Sequence, residues 1–350
     1  MPSASNEERI SLSAFWSRIS LDADNYPNTP DEAAWLDLLA SEPALIESTL
    51  AVTTEHWLSD ALCKQRAGVH SSRAANILVQ RIKSREALTD AVLMAVLTLA
   101  FRERLADNDV VWGIHIDGIA DLLRERYSQG VRTLPPWVTG LVVSDSVNTL
   151  FNFPRVYHSK VVDALGLYGG ISVSRIAALT DGISRLWASI EAHRTGQPDS
   201  SFAVDMIEGP LARLETQARL LGSSDDPFTQ STAFAIELVL QLSWPTQPPA
   251  TLTTIAGGLK EALCRIPVRP CFFMDFTSFQ LMIGAVAAGE GSQTREWFLT
   301  KLKRAVLELR SRGWDEPLEL FRRVNFPNVG LMKRFKSLWA ELASGVQAGP

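Results

Sequence analysis

Apolar residues return every three or four positions in segment after segment of this chain, and no stretch alternates apolar with polar between hairpin turns. That period is the period of the α-helix, and its recurrence leaves little room for a sheet. Leu45, Ile46, Thr49, Leu50, Thr53 and Trp57 mark one face of a helix running to about Ala61. Ser41-Glu42-Pro43 reads as its start, with a hydroxyl at the N-cap and a proline where no amide donor is needed. Ala74, Ile77, Leu78 and Ile82 repeat the step. Thr89 to Arg104 is apolar on several faces, so this helix belongs in the middle of a bundle.

Val110 to Tyr127 reads as amphipathic, with Trp112, His115, Ile116, Ile119, Leu122 and Leu123 inward and Arg124, Glu125 and Arg126 outward. Gly113 and Gly118 lower its helix propensity by roughly 1 kcal/mol each and are expected to admit a close helix contact, with Trp112 and Gly118 on the inner face against Val92 to Phe101. Trp137 to Val143 is the best strand candidate, but Pro135-Pro136 before it and the helical spacing beyond it favour helix. Further helices are expected over 172–193, 202–221, 227–244, 252–264, 274–288, 294–310, 316–324 and 331–342. The expected fold is all-α: a single compact helical domain of roughly a dozen helices over 41–345, with two lobes meeting near Gly196. Residues 1–40 are expected to form an N-terminal segment with short helices.

The chemistry that such a body could carry is narrowed mainly by what is missing. Three cysteines, Cys63, Cys264 and Cys271, are too few for a disulfide scaffold or a cysteine-rich zinc module and read as free thiols. No two of the five histidines stand four apart, and there is no HExxH, no P-loop, no GxGxxG after a strand and no GxSxG elbow. No metal and no cofactor is expected. Asp225-Asp226 before Pro227 invites comparison with diphosphate-binding acids, but an N-cap aspartate ahead of a proline explains it. The longest apolar stretch of the first third, Ala91 to Phe101, is about half a bilayer span, and the opening residues lack the regions of a secretory signal. An intracellular protein, nuclear or cytoplasmic, is therefore expected, with no membrane partner.

Two groups of candidate site residues remain. His115, His56 and Asp275 are weak candidates for acid–base catalysis, with Asp117 and Glu103 near the first. His115 beside Trp112 and Ile116 is equally explained as a core histidine. The aromatic run around Phe272, Phe276 and Phe279, interrupted upstream by Pro267 and Pro270, is a candidate wall for an apolar ligand, with Trp112 as a further contact. The plain alternative is that these aromatics fill the core.

DAVLMAVLTLAFRE (Asp90 to Glu103), followed by WGIHIDGIADLL (Trp112 to Leu123) with Gly130 behind it, resembles a recurring pattern of the regulatory, or middle homology, domain of fungal zinc-cluster transcription factors. EPALIESTLAVTTEHW (Glu42 to Trp57) looks like the early helix of that family, and Arg295 to Phe298 and Arg312 to Trp314 continue the likeness. The resemblance implies an all-α regulator whose partner is an apolar small molecule or a transcription-related protein. The family's DNA-binding module needs six cysteines in a basic N-terminal segment, and residues 1–40 hold none. No direct nucleic-acid binding is therefore expected. Relatives of this kind occur in fungal biosynthetic gene clusters, which opens the alternative of a secondary-metabolite enzyme on the same scaffold.

Charge adds one feature. From Arg295 to Lys336 eleven Lys and Arg stand against five acids, a local +6 in a chain whose total is −5. The stretch reads either as a docking face for an acidic partner, less readily for nucleic acid, or as the solvated sides of a few helices.

Overall fold

The computed structural model describes residues 37–56, 61–84, 86, 88–147, 150, 156–169, 171–195, 201–244, 248–266, 274–311 and 328–347. Among them the regular structure is helix throughout, with no strand. The helices of at least eight residues are α1 (Pro43–His56), α2 (Ala61–Lys83), α3 (Asp90–Leu105), α4 (Asp109–Ser128), α5 (Pro136–Ser146), α6 (Ser159–Gly166), α7 (Ile171–Thr195), α8 (Ser201–Gly222), α9 (Pro227–Ser243), α10 (Pro249–Cys264), α11 (Met274–Ala287), α12 (Gln293–Ser311) and α13 (Val329–Gln347). The all-α expectation is met. The strand candidate at 137–143 is helical, as its flanking prolines suggested, whereas the helix expected over 316–324 lies outside the described residues.

Contacts divide the chain into two compact units, one holding 24–142 and 156–171, the other 143–155 and 172–350. The division falls between 142 and 172 rather than near Gly196. Each unit is built round one helix. In the first it is α3, buried from Ala91 to Ala95, from Leu97 to Ala100 and again at Glu103. It packs against α1 on one side and α4 on the other, which is where an apolar helix without a polar face must lie. In the second unit the centre is α9, buried almost continuously from Phe228 to Ser243 and packed by α8, α10 and α11.

Local signals set several helix ends. Thr89 caps α3 by accepting from Val92 N, and Asp226 caps α9 by accepting from Thr229 N at 2.9 Å. The latter is the role expected for Asp226. α1 departs from expectation: Ser41 Oγ turns back to Leu38 O, and the Glu42 carboxylate accepts from Ala44 N at 3.2 Å instead. α6 was not anticipated, because its cap is the His158 ring, accepting from Lys160 N at 3.3 Å, rather than one of the usual capping side chains. Gly130, at φ +87°, lets the chain leave α4 with Val131 N bonded to Arg126 O at 3.0 Å.

Candidate functional site

The densest meeting of titratable groups in the first unit lies where α1, α2, α3 and α4 come together. The tight α3–α4 turn makes it possible. Asp107 takes φ 53°, a left-handed conformation that costs roughly 1–2 kcal/mol outside glycine, and Asn108 N then returns to Glu103 O at 2.9 Å. So placed, Asn108 does two things. Its Oδ1 accepts from Val111 N and caps α4, while its Nδ2 donates to Glu103 Oε2 at 2.7 Å.

Glu103 is only 4% exposed. Its other carboxylate oxygen accepts from Arg102 Nη1. The same guanidinium nitrogen donates to Ser71 Oγ on α2 at 3.3 Å, and Arg102 Nε stands 2.6 Å from Glu55 Oε2 on α1. One largely buried guanidinium thus ties α1 and α2 to α3 and stands against two carboxylates.

His115 sits half-buried on α4 beside this network. Burial is the main influence on it and lowers its pKa; Glu103 pulls it back up, and Arg102 pushes it further down. The imidazole is consequently neutral at pH 7. Among the described residues no hydrogen bond reaches its ring. Asp117, by contrast, is exposed and paired with Lys160 Nζ at 2.6 Å. Glu103 is thus the carboxylate whose charge acts on His115, while Asp117 is engaged with Lys160.

Trp112 is half-buried rather than sealed in the core. Its Nε1 donates to Val156 O, the His158 ring meets it edge-on at 6.5 Å, and the Arg104 guanidinium lies 4.8 Å from its centroid. Two expectations for this helix are corrected. Gly118 is exposed, and a Cβ on Gly113 or Gly118 would meet nothing within 4 Å, so neither glycine marks a close helix contact. Arg126 is buried instead of outward: it donates to Leu88 O and Asp90 Oδ1 and anchors the start of α3.

The expected aromatic wall is only partly within view. Phe272 and the side chains of Asp275 and Phe276 lie outside the described residues, as does that of His56. Phe279 is 2% exposed and packs edge-to-face on Phe335 with centroids 6.4 Å apart. Its environment is core: Gln280 beside it donates to Ser231 Oγ at 3.1 Å, and Met282 one turn on accepts from Trp339 Nε1. Cys264 is a free thiol and is exposed.

A second polar cluster, in the other unit, was not foreseen. Glu215 on α8 and Glu237 on α9 are both buried, and Arg219 reaches each, with Nη2 to Glu215 at 3.2 Å and Nε to Glu237 at 3.0 Å. Gln241 Nε2 donates to the remaining oxygen of Glu215. The signal was present as two i, i+4 pairs, Glu215–Arg219 and Glu237–Gln241, but such pairs are common on solvated faces. Among the described residues no group of three or more His, Cys, Asp or Glu could hold a metal ion, and no helix is long and apolar enough to cross a membrane.

Comparison with family models, curated proteins and solved structures finds no match.

Proposed function

We propose that this chain is a regulatory, ligand-binding module of the fungal transcription factor-like kind, acting in the nucleus on a secondary-metabolite pathway, with an apolar small molecule or a transcription-related protein as its partner. The order of helices that carries the resemblance supports this reading. So does one observation of geometry: both oxygens of Glu103 are taken up by Arg102 and Asn108, so the buried acid best placed to serve as a general base is held as a structural ion pair. Fusing the chain to an unrelated DNA-binding module and measuring reporter transcription tests it. Regulation predicts output that responds to pathway extracts; a flat response argues against a regulator. The isolated chain is expected to show no sequence-specific DNA binding in a gel shift at physiological salt.

His115 favours a second reading, an enzyme of the same pathway. A neutral imidazole beside a carboxylate, with no ring partner among the described residues, can accept a proton. His115→Gln separates the two. Loss of turnover on pathway intermediates, with folding and reporter output intact, would establish the enzyme.

A further inference from the structure

The strongest feature left unused by that reading is the outer surface of α12 and α13. Their register follows from side-chain contacts. Phe279 meets Phe335 and Met282 meets Trp339, so α11 and α13 run in the same direction. α12 follows α11 after a short turn and comes back along it, with the Phe298 ring filling the space a Cβ on Gly284 would need. α12 and α13 are therefore antiparallel. The Arg295 guanidinium clamps the Glu341 carboxylate through both oxygens, at 3.1 and 2.6 Å, and pins them.

Counting equal rises from that clamp places Lys303 level with Lys333, Leu307 level with Val329 and Thr300 level with Lys336. Lys333, Arg334 and Lys336 are all exposed, and Lys303 is half-exposed. The one acid of α13, Glu341, is already held by Arg295, which keeps its pKa below the ordinary carboxylate value. At the end of this cationic band two large apolar side chains stand in solvent, Leu307 at 55% and Val329 at 70% exposure. Apolar side chains next to a row of lysines form an amphipathic surface, in which Glu308 is the acid adjoining Leu307 in sequence.

We propose that this face docks an acidic amphipathic segment of a protein partner. Carboxylates of the segment lie over Lys303, Lys333 and Lys336, and an apolar side chain covers Leu307 and Val329. The band from Val329 to Lys336 is about 10 Å long, the length of two helical turns. Charge complementarity selects the occupant. A short acidic segment meets only the band, whereas duplex DNA extends beyond it and meets a chain that carries −11 outside residues 295–336. DNA also has no use for the Leu307–Val329 end. Individual exposed ion pairs contribute little, so affinity depends on several acting together with the apolar contact. The inference is independent of the regulatory reading, since an enzyme could present the same face.

The test uses the whole chain and a labelled synthetic peptide of about four helical turns, with glutamates on one face and leucines on the other. Fluorescence anisotropy at about 0.15 M salt is expected to give saturable binding with a Kd on the order of 10 µM. The Lys333→Glu/Lys336→Glu variant is expected to weaken it at least about tenfold, and Leu307→Ser/Val329→Ser about fivefold. Circular dichroism checks that each variant keeps its fold. Should a charge reversal unfold the chain, Lys333→Gln/Lys336→Gln carries the same test with about a threefold loss. A peptide that does not bind, or whose binding ignores these substitutions, overturns the proposal. So does duplex DNA that binds as tightly as the peptide and loses affinity in the same variants.

Discussion

The two central helices solve the same problem with different side chains. α3 is buried with an almost wholly apolar sequence, and its polar exceptions are Thr98, bonded to Met94 O, and Glu103 at its end. α9 is equally buried yet carries Thr229, Ser231, Thr232, Glu237, Gln241 and Ser243 inside. Each finds a partner: Thr232 bonds Phe228 O, Ser231 accepts from Gln280, Ser243 accepts from Trp187 Nε1 at 3.1 Å, and Glu237 and Gln241 join the Arg219 cluster. A buried polar group costs little once it is bonded, so α9 tolerates what α3 avoids. The difference teaches that hydrophobicity identifies one kind of central helix and overlooks the other.

The guanidiniums that close the two clusters differ in the same instructive way, and substitutions can sharpen or break that contrast. Arg102 is largely buried; Arg219 is 54% exposed. Arg102→Ala leaves Glu103 without its cation and is expected to lower stability by about 3–5 kcal/mol, measured by urea denaturation. Phe279→Ala in the core of the second unit is expected to cost a similar amount, about 3–5 kcal/mol. A folded Phe279→Ala variant near wild-type stability would return Phe279 to the ligand wall. Trp112→Ala, at a half-buried site, is expected to cost about 2 kcal/mol, below the range of fully buried aromatics.

Arg219→Ala should cost about 1–2 kcal/mol, because water reaches its guanidinium and Gln241 still donates to Glu215. A loss as large as that of Arg102→Ala would abolish the distinction between the two clusters. The smallest effect is expected at His115. Its folded pKa is depressed, so the stability this neutral ring contributes is complete above its ordinary value of 6.5 and lost as the pH falls through the lower folded value. Thermal unfolding of the wild type should therefore drop more between about pH 7.5 and about 5.5 than that of His115→Gln. Parallel pH profiles would show that His115 is solvated like any surface histidine.

Periodicity alone determined the class and most of the helices, because a helix is a local object whose face and ends are written within a few neighbouring residues. It placed α3 at the centre of a bundle and Asp226 at a cap on that basis. It chose Ser41 as the cap of α1 where Glu42 takes that role, since both lie within reach of free amide donors. Nor could it set His115 in the field of Glu103 rather than of Asp117, or bury Arg126 against Leu88 and Asp90, or bring Glu55 to Arg102. Those partners are separated by up to 47 positions along the chain. Their meeting depends on how whole helices pack, and helical faces with similar periodicity can pack in many ways. Only the tertiary structure selects the one arrangement in which Glu103, Glu215 and Glu237 each find a guanidinium.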